Sequence, residues 1–345
     1  MPLLPEGDLT IGDYLRERLM PVEGAIPHLA GIEMYGRSVP AGRAGGDLFE
    51  YINFQQRYDL DARVRRASGT EDDDFVEWLR VRPDFRPEME TAYRQVRSLE
   101  QGRVAENLRD LYDTAGVLLV DAQGHGLISA KIASTVHDTF HALMLSELDR
   151  HGKTTPELFE LINLRLAHSA TARNALGEDN SGAAREIATM LYGEVRPSGH
   201  FRFVNFGHPP PLAFSAHEGR FRKVDRARMV QFLPLGLEIP ENHPDRKRYV
   251  SMGFRQRQAG DADIADIALT RSGDLLFLYT DGVYDGSDEE ERRGLEAVMR
   301  DACLGPAKNI CHAVLEHAAA RDRALRARGE ADLIDDKTVC IIKRS

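Results

Sequence analysis

Cysteine is scarce in this 345-residue chain: only Cys303, Cys311 and Cys340 are present, and no CxxC spacing occurs. An odd count without that spacing argues against a disulfide framework or a zinc knuckle and fits a reducing, cytoplasmic setting. Long apolar runs are also missing. The longest, GVLLV and LLFLY, are strand-sized and too short to span a bilayer, so no membrane association is expected. The N-terminal stretch MPLLPEGDLTIGDYLRERLMP lacks a basic segment followed by an apolar run, and no secretory leader is expected. Positive charge is in deficit, with a formal net charge of −10. That excludes nucleic-acid binding through the overall field, while leaving local cation binding open. No GxxxxGK[ST] loop, no Cys-based phosphatase loop and no G-x-S-x-G elbow is found.

What is present is ordinary globular material, 42% hydrophobic and 29% charged. That is enough for a sizeable core in one large domain or two ordinary ones. Residues 9–20 read as a short amphipathic helix. GIEMYGRSV (31–39) and residues 47–54 read as strands separated by the turn PAGRAGG. Residues 55–112 change character: highly charged, with spaced apolar residues and few β-branched ones, they read as a mostly helical segment. It is either a solvated excursion or a lid or partner-docking arm. GVLLVD (116–121) is a buried-type strand, followed by AQGHGLISA and a helix to about residue 146. A second helix starts at Thr154 or Thr155, with a Thr cap and Pro in the first turn. IATMLYGEV (187–195) and HFRFVNF (200–206) form a hairpin through RPSG, and GHPPPLAF leads into another strand. DLLFLYT (274–280) is a strand, 307–328 a helix, and DDKTVCIIKRS a terminal strand. Strands and helices mix without regular alternation, which favours an α+β layered sandwich over a doubly wound fold.

Acids sit at the ends of several apolar strands. Asp121 follows VLLV, Asp281 follows LLFLYT, Asp335 and Asp336 precede TVCII, and Asp47 follows Gly45-Gly46. Each alone could be a turn residue. Converging on one rim, they would need a counter-charge, because gathering like charges is costly. A divalent cation supplies it, and hard carboxylate oxygens select magnesium, manganese or calcium. Such a cluster suits phosphate chemistry, since two metals can activate a bridging water and neutralise phosphate oxygens. AGRAGGDLFEY also looks like a blurred GGDEF loop, which would imply a nucleotide cyclase, but Leu48-Phe49 intervene before Glu50.

Taken in order, these segments resemble the SpoIIE-type (RsbU-like) branch of the metal-dependent protein phosphatases, the PPM or protein phosphatase 2C-like superfamily. PAGRAGGDLFE resembles PAGxxGGDxxD, and LLVDAQGHGLISA resembles GDVSGHGxxAA. The stretch IATMLYGEVRPSGHFRFVNFGHPPPL resembles the span from FVTxxYxxxD to AGHPPPL. LPLGL, GDLLFLYTDGVYDG and DDKTVCII resemble PLGL, GDxLxLYTDGxxE and DDxTxxxx. The agreement spans about residues 20–345. It implies an αββα sandwich of two antiparallel sheets flanked by helices, with residues 1–20 as a helical lead-in, 21–345 as the phosphatase domain and the segment 55–112 as an insertion in it.

The resemblance further implies a Ser/Thr protein phosphatase using two manganese or magnesium ions and no phosphoenzyme. Its implied metal ligands are Asp47, Asp121, the Ala122 carbonyl, Asp281, Asp335 and, with less weight, Asp336. Asp47, Asp121 and Asp281 are also the implied catalytic acids. His125 reads either as a general acid or phosphate contact, or as a turn histidine between two glycines. His208 reads as structural. The implied substrate is a phosphoprotein of the STAS-type anti-sigma antagonist kind in partner-switching signalling, and homodimerisation is implied by resemblance alone. Gln123 stands where the family has Ser, Glu50 where it has Asp, and Val120 and Ala122 where it has Gly and Val. The altered DAQGHG loop keeps open the alternative of a phosphoprotein-binding scaffold without activity, and a small-metabolite metallophosphatase is a separate alternative.

Overall fold

The computed structural model describes residues 26–42, 45–68, 74–124, 126–175, 186–222, 231–237, 265–286 and 288–345. The helix expected at 9–20 lies outside them. The chain opens with β1 (Ile32–Val39) and β2 (Asp47–Asn53), then four helices: α1 (Phe54–Tyr58), α2 (Leu60–Ser68), α3 (Asp74–Arg80) and α4 (Pro87–Asp110). β3 (Ala115–Ala122), α5 (Leu127–His151), α6 (Pro156–Ala175), β4 (Ala188–Val195) and β5 (His200–Phe206) follow. Next come β6 (Leu212–Ser215), β7 (Arg220–Phe221), β8 (Gln231–Phe232), β9 (Ala265–Ala268) and β10 (Leu275–Tyr279). α7 (Glu289–Ala302), α8 (Ala307–Ala327) and β11 (Lys337–Arg344) complete the chain.

The strands form two sheets, ordered β1-β11-β10-β6-β7 and β2-β3-β4-β5-β8, with β9 also on β5. Pairing is antiparallel apart from the two-residue match of β8 to β5. Period-two alternation explains the layering. Phe49 and Tyr51 of β2, Val117 and Leu119 of β3, Leu276 and Leu278 of β10, and Cys340 and Ile342 of β11 meet between the sheets. The alternate residues Leu48, Ile52, Leu118 and Val120 face α5 and α6. On the other side, Phe277, Tyr279, Val339 and Ile341 face α7 and α8. The result is the expected αββα sandwich. β3 has apolar cover on both faces, which is why its sequence is a continuous apolar run rather than an alternating one. The sheets approach closely where Gly36 faces Phe49: a Cβ there would lie 2.4 Å from the ring.

The described residues of the segment 55–112 are mostly helical. Its contacts with the body gather on the C-terminal half of α5. Arg63 pairs with Asp149, Asn107 donates to the His151 carbonyl at 2.8 Å, and Val64, Ala67 and Val104 pack on the core beneath. At 1.5 Å per residue these anchors lie roughly 25–35 Å along α5 from its start at the DAQGHG turn. The segment therefore docks as a mostly solvated excursion, and the described contacts do not place it over the acidic rim. α5 runs five residues past the expected end, to His151, and stops where Gly152 takes a left-handed φ of 68°.

Candidate metal centre

Strand register brings the acids together. Asp47 opens β2 and pairs directly with Asp121 at the end of β3. Side chains alternate between the two faces of a strand. By that alternation both acids share the parity of residues facing the gap between sheets, as do Thr280 after β10 and Thr338 of β11. Asp47 is therefore buried at the mouth of the sandwich. Its Oδ2 accepts hydrogen bonds from the Thr280 hydroxyl at 2.8 Å and the Thr338 hydroxyl at 2.7 Å. These two threonines lie inside the quoted LYTDG and DDKT motifs. Their partner is 233 and 291 residues away, so nothing local in the sequence assigns them the task of orienting Asp47.

Asp336 has a separate position. It is buried, and its two oxygens accept the backbone N–H groups of Ala41 and Gly46, each at 2.6 Å. It clamps Ala41 and Gly46 against the start of the terminal strand. The glycines permit this: a Cβ on Gly45 would lie 2.4 Å from Asp336 Oδ2, and one on Gly46 2.6 Å from the Ala122 carbonyl oxygen. Gly282 is equally constrained, with a Cβ placed 1.9 Å from the Asp336 carbonyl oxygen. Asp281 and Asp335, by contrast, are exposed at the rim. Asp335 Oδ1 accepts the N–H of Asp336 at 2.8 Å. From α8, Arg321 donates to the Gly282 carbonyl and to the Val283 carbonyl at 3.2 Å. Lys337 donates to the Asp335 carbonyl at 2.7 Å while pairing with Asp322 at 2.8 Å.

Burial and mutual repulsion dominate the electrostatics, with a smaller opposing pull from Arg321 on Asp281. Burial, with added repulsion from Asp281, Asp335 and Asp336, pushes Asp121 up to about 7. Burial and the neighbouring Asp121 hold Asp47 well above the ordinary carboxylate range. Burial and Asp335 raise Asp281. Among the described residues, no lysine or arginine forms an ion pair with any of these five carboxylates. A set of hard oxygen donors, three of them (Asp47, Asp121 and Asp281) raised by burial and then by neighbouring carboxylates and none ion-paired among the described residues, fits a divalent oxygen-binding cation. His125 lies outside the described residues. His208 is buried, with Nδ1 at 2.8 Å from the Thr189 hydroxyl and its backbone N–H donating to Asn205. Burial pushes it down to about 3, so it stays neutral and its place is structural. Glu50 points away from the rim, since its even parity on β2 turns it to α5.

An αββα sandwich with acids at one open end is the architecture of the PPM-type phosphatases. A family model described as "Stage II sporulation protein E (SpoIIE)" matches residues 112–345, about two thirds of the sequence, and the chain belongs to that family. No curated protein matches the sequence. Among solved structures, the RsbU and RsbW domains of a Mycobacterium tuberculosis protein align at 18% identity and TM-score 0.48, covering 94% of this chain and 62% of that one. The PP2C phosphatase domain of SpoIIE from Bacillus subtilis, with a fragment of its regulatory domain, aligns at 13% identity and TM-score 0.49, covering 90% and 63%. The SiaA-PP2C domain of Pseudomonas aeruginosa aligns at 13% and 0.47, covering 90% and 85%. The chain thus spans under two thirds of the length of the first two. No helix among the described residues is long and apolar enough to cross a membrane.

Proposed function

We propose that the chain is a metal-dependent protein phosphatase acting on phosphoserine or phosphothreonine. The observation that carries this reading is the rim itself, where Asp121, Asp281 and Asp335 gather around buried Asp47 and, among the described residues, none of them is ion-paired to a lysine or arginine. In this reading Asp121, Asp281, Asp335 and the Ala122 carbonyl hold two manganese or magnesium ions. Bound there, such ions would polarise the phosphate and lower the pKa of water at neutral pH.

The chain's own residues supply the positioning. Thr280 and Thr338 fix Asp47 in one orientation. Asp336 serves as the brace that keeps Gly46, and so the start of β2, pressed against Ala122. Arg321 and Lys337 grip the backbone carbonyls beside Asp281 and Asp335, which holds both loops while leaving the carboxylates free. Exposure of Asp281 and Asp335 favours a phosphorylated side chain on a folded protein over a small metabolite engulfed by a pocket. Family membership supports a substrate of the STAS type in partner switching.

The test is hydrolysis of p-nitrophenyl phosphate with manganese, magnesium or chelator, by the native chain and by Asp281→Asn. Metal-dependent turnover lost in the variant is expected. Turnover that survives both chelation and the substitution would refute the reading. A folded protein without turnover in any metal would favour the binding scaffold.

A further inference from the structure

Three side chains with no part in the rim converge on the helix-facing side of β2. Glu50 projects there at 14% side-chain exposure. His137 and His141 are four residues apart on α5 and share one face of that helix. Both rings aim Nε2 at the same oxygen: His137 Nε2 is 3.1 Å and His141 Nε2 2.6 Å from Glu50 Oε2. The three ligand atoms all lie within 4.8 Å of one another. The other Glu50 oxygen is taken by Arg57 at 3.2 Å.

The far nitrogens are held as well. His137 Nδ1 lies 3.1 Å from Asp138 Oδ1, and His141 Nδ1 lies 2.6 Å from the Tyr58 hydroxyl. An ionised Asp138 can only accept, so the His137 proton sits on Nδ1 and a neutral ring turns an Nε2 lone pair toward a carboxylate oxygen. Something positive must lie between them, either a second proton or a metal ion. Histidines fixed by an outer carboxylate or hydroxyl, with inner nitrogens converging on a third donor, form the arrangement that supports metal-ligating imidazoles.

We propose that Glu50, His137 and His141 form a second cation site, distinct from the all-oxygen rim, for a borderline divalent transition ion such as zinc. Two imidazoles and one carboxylate oxygen select that class over magnesium or calcium. Tetrahedral ligands about 2.05 Å from zinc stand about 3.3 Å apart, so the His137–Glu50 spacing already fits and the His141–Glu50 spacing opens by under 1 Å. The ion would tie β2 and α5 to Tyr58 on α1, where the helical insertion departs. The assignment is independent of the phosphatase reading.

The experiment uses the full chain, stripped with chelator and then given excess magnesium. Zinc is titrated calorimetrically and bound metal is counted by mass spectrometry. One zinc per chain should persist in the rim variant Asp121→Asn/Asp281→Asn and vanish in His137→Ala/His141→Ala. Tyr58→Phe, which removes only the outer hydroxyl, should weaken zinc about 10- to 100-fold. If the double-histidine variant does not fold, Tyr58→Phe and the visible spectrum of a cobalt-substituted rim variant decide. Imidazole-ligated cobalt bands and weakened zinc binding support the site. Absence of those bands, zinc that disappears with the rim acids, or affinity unmoved by Tyr58→Phe overturns it and leaves a proton between Glu50 and His137.

Discussion

Replacing Asp121 with Asn should stabilise the metal-free protein while abolishing its activity. Asp121 sits opposite Asp47 in strand register and is raised, chiefly by burial and then by Asp281, Asp335 and Asp336, from 3.8 to about 7. The folded chain therefore keeps a proton between about pH 4 and pH 7 that the unfolded chain has released. Where the native state binds more protons, stability falls as pH rises, so the loss accumulates across that window and levels off above it. At 1.36 kcal/mol per pH unit the accumulated cost reaches at most about 4 kcal/mol. Asn cannot ionise and escapes it. It also relieves Asp47, whose rise owes most to burial and next to Asp121. Thermal melts in chelator at pH 8 should show the variant more stable than the native chain by several degrees, since about 1 kcal/mol moves the midpoint by about 2 °C in large domains. The gap should close toward pH 5. Added manganese should then raise the native midpoint and leave the variant's nearly unchanged, because on the proposed reading the carboxylate that repels without metal is the one that would ligate it. A variant less stable than the native chain in chelator at pH 8, or a gap independent of pH, would refute the reasoning.

Other outcomes follow from the same geometry. Gly46→Ala places a Cβ 2.6 Å from the Ala122 carbonyl oxygen and 2.9 Å from Ser129 Cβ; it should cost about 1–3 kcal/mol in urea melts and reduce p-nitrophenyl phosphate turnover further by displacing Asp47. Thr338→Val removes the 2.7 Å bond to Asp47 and the 2.8 Å bond to Ser38; a loss of about 1–3 kcal/mol is expected, with weaker manganese activation seen as a higher metal concentration for half-maximal turnover. Asp322→Ala leaves Lys337 buried without its carboxylate at 2.8 Å; a loss of about 3–5 kcal/mol in denaturant melts is expected, and a neutral result would show that Lys337 finds compensation at the Asp335 carbonyl.

The sandwich was legible because its strands obey simple patterns. GVLLV is apolar throughout since β3 is covered on both faces, and LLFLY and TVCII are flanked by polar residues where the sheets open. The acids were legible because each breaks an apolar run at its boundary. α7 was missed although its signals are present: Asp288 caps it by accepting from Glu290 and Glu291, and Leu295 and Met299 lie one turn apart on its buried face. The charged run DEEERR around its start masks that spacing. β8 and β9 were missed because strands of two and four residues carry too few side chains to show a period. The Glu50–His137–His141 cluster was invisible for another reason. Glu50 read as a conservative change within the GGD motif, and only the strand parity reveals that it faces the opposite way from Asp47.

The adjacent pair Asp335-Asp336 shows where sequence reasoning stops and geometry takes over. Two neighbouring carboxylates both read as candidate ligands, Asp336 with less weight, yet successive residues entering a strand must face opposite directions. Asp336 shares the inward parity of Thr338 and Cys340, so it meets the two N–H groups of the PAGRAGG turn and is held there at 2.6 Å from each. Asp335 has the other parity and remains exposed. The same step assigns the glycines. Gly45 and Gly282 leave room for Asp336, and Gly46 leaves room for the Ala122 carbonyl. GGD, DG and DDxT, separate as motifs in the chain, are thus parts of one contact, with Asp336 as its hub. A substitution at Asp336 should therefore disturb all three, whereas one at Asp335 should leave the fold intact and change only what the rim can hold.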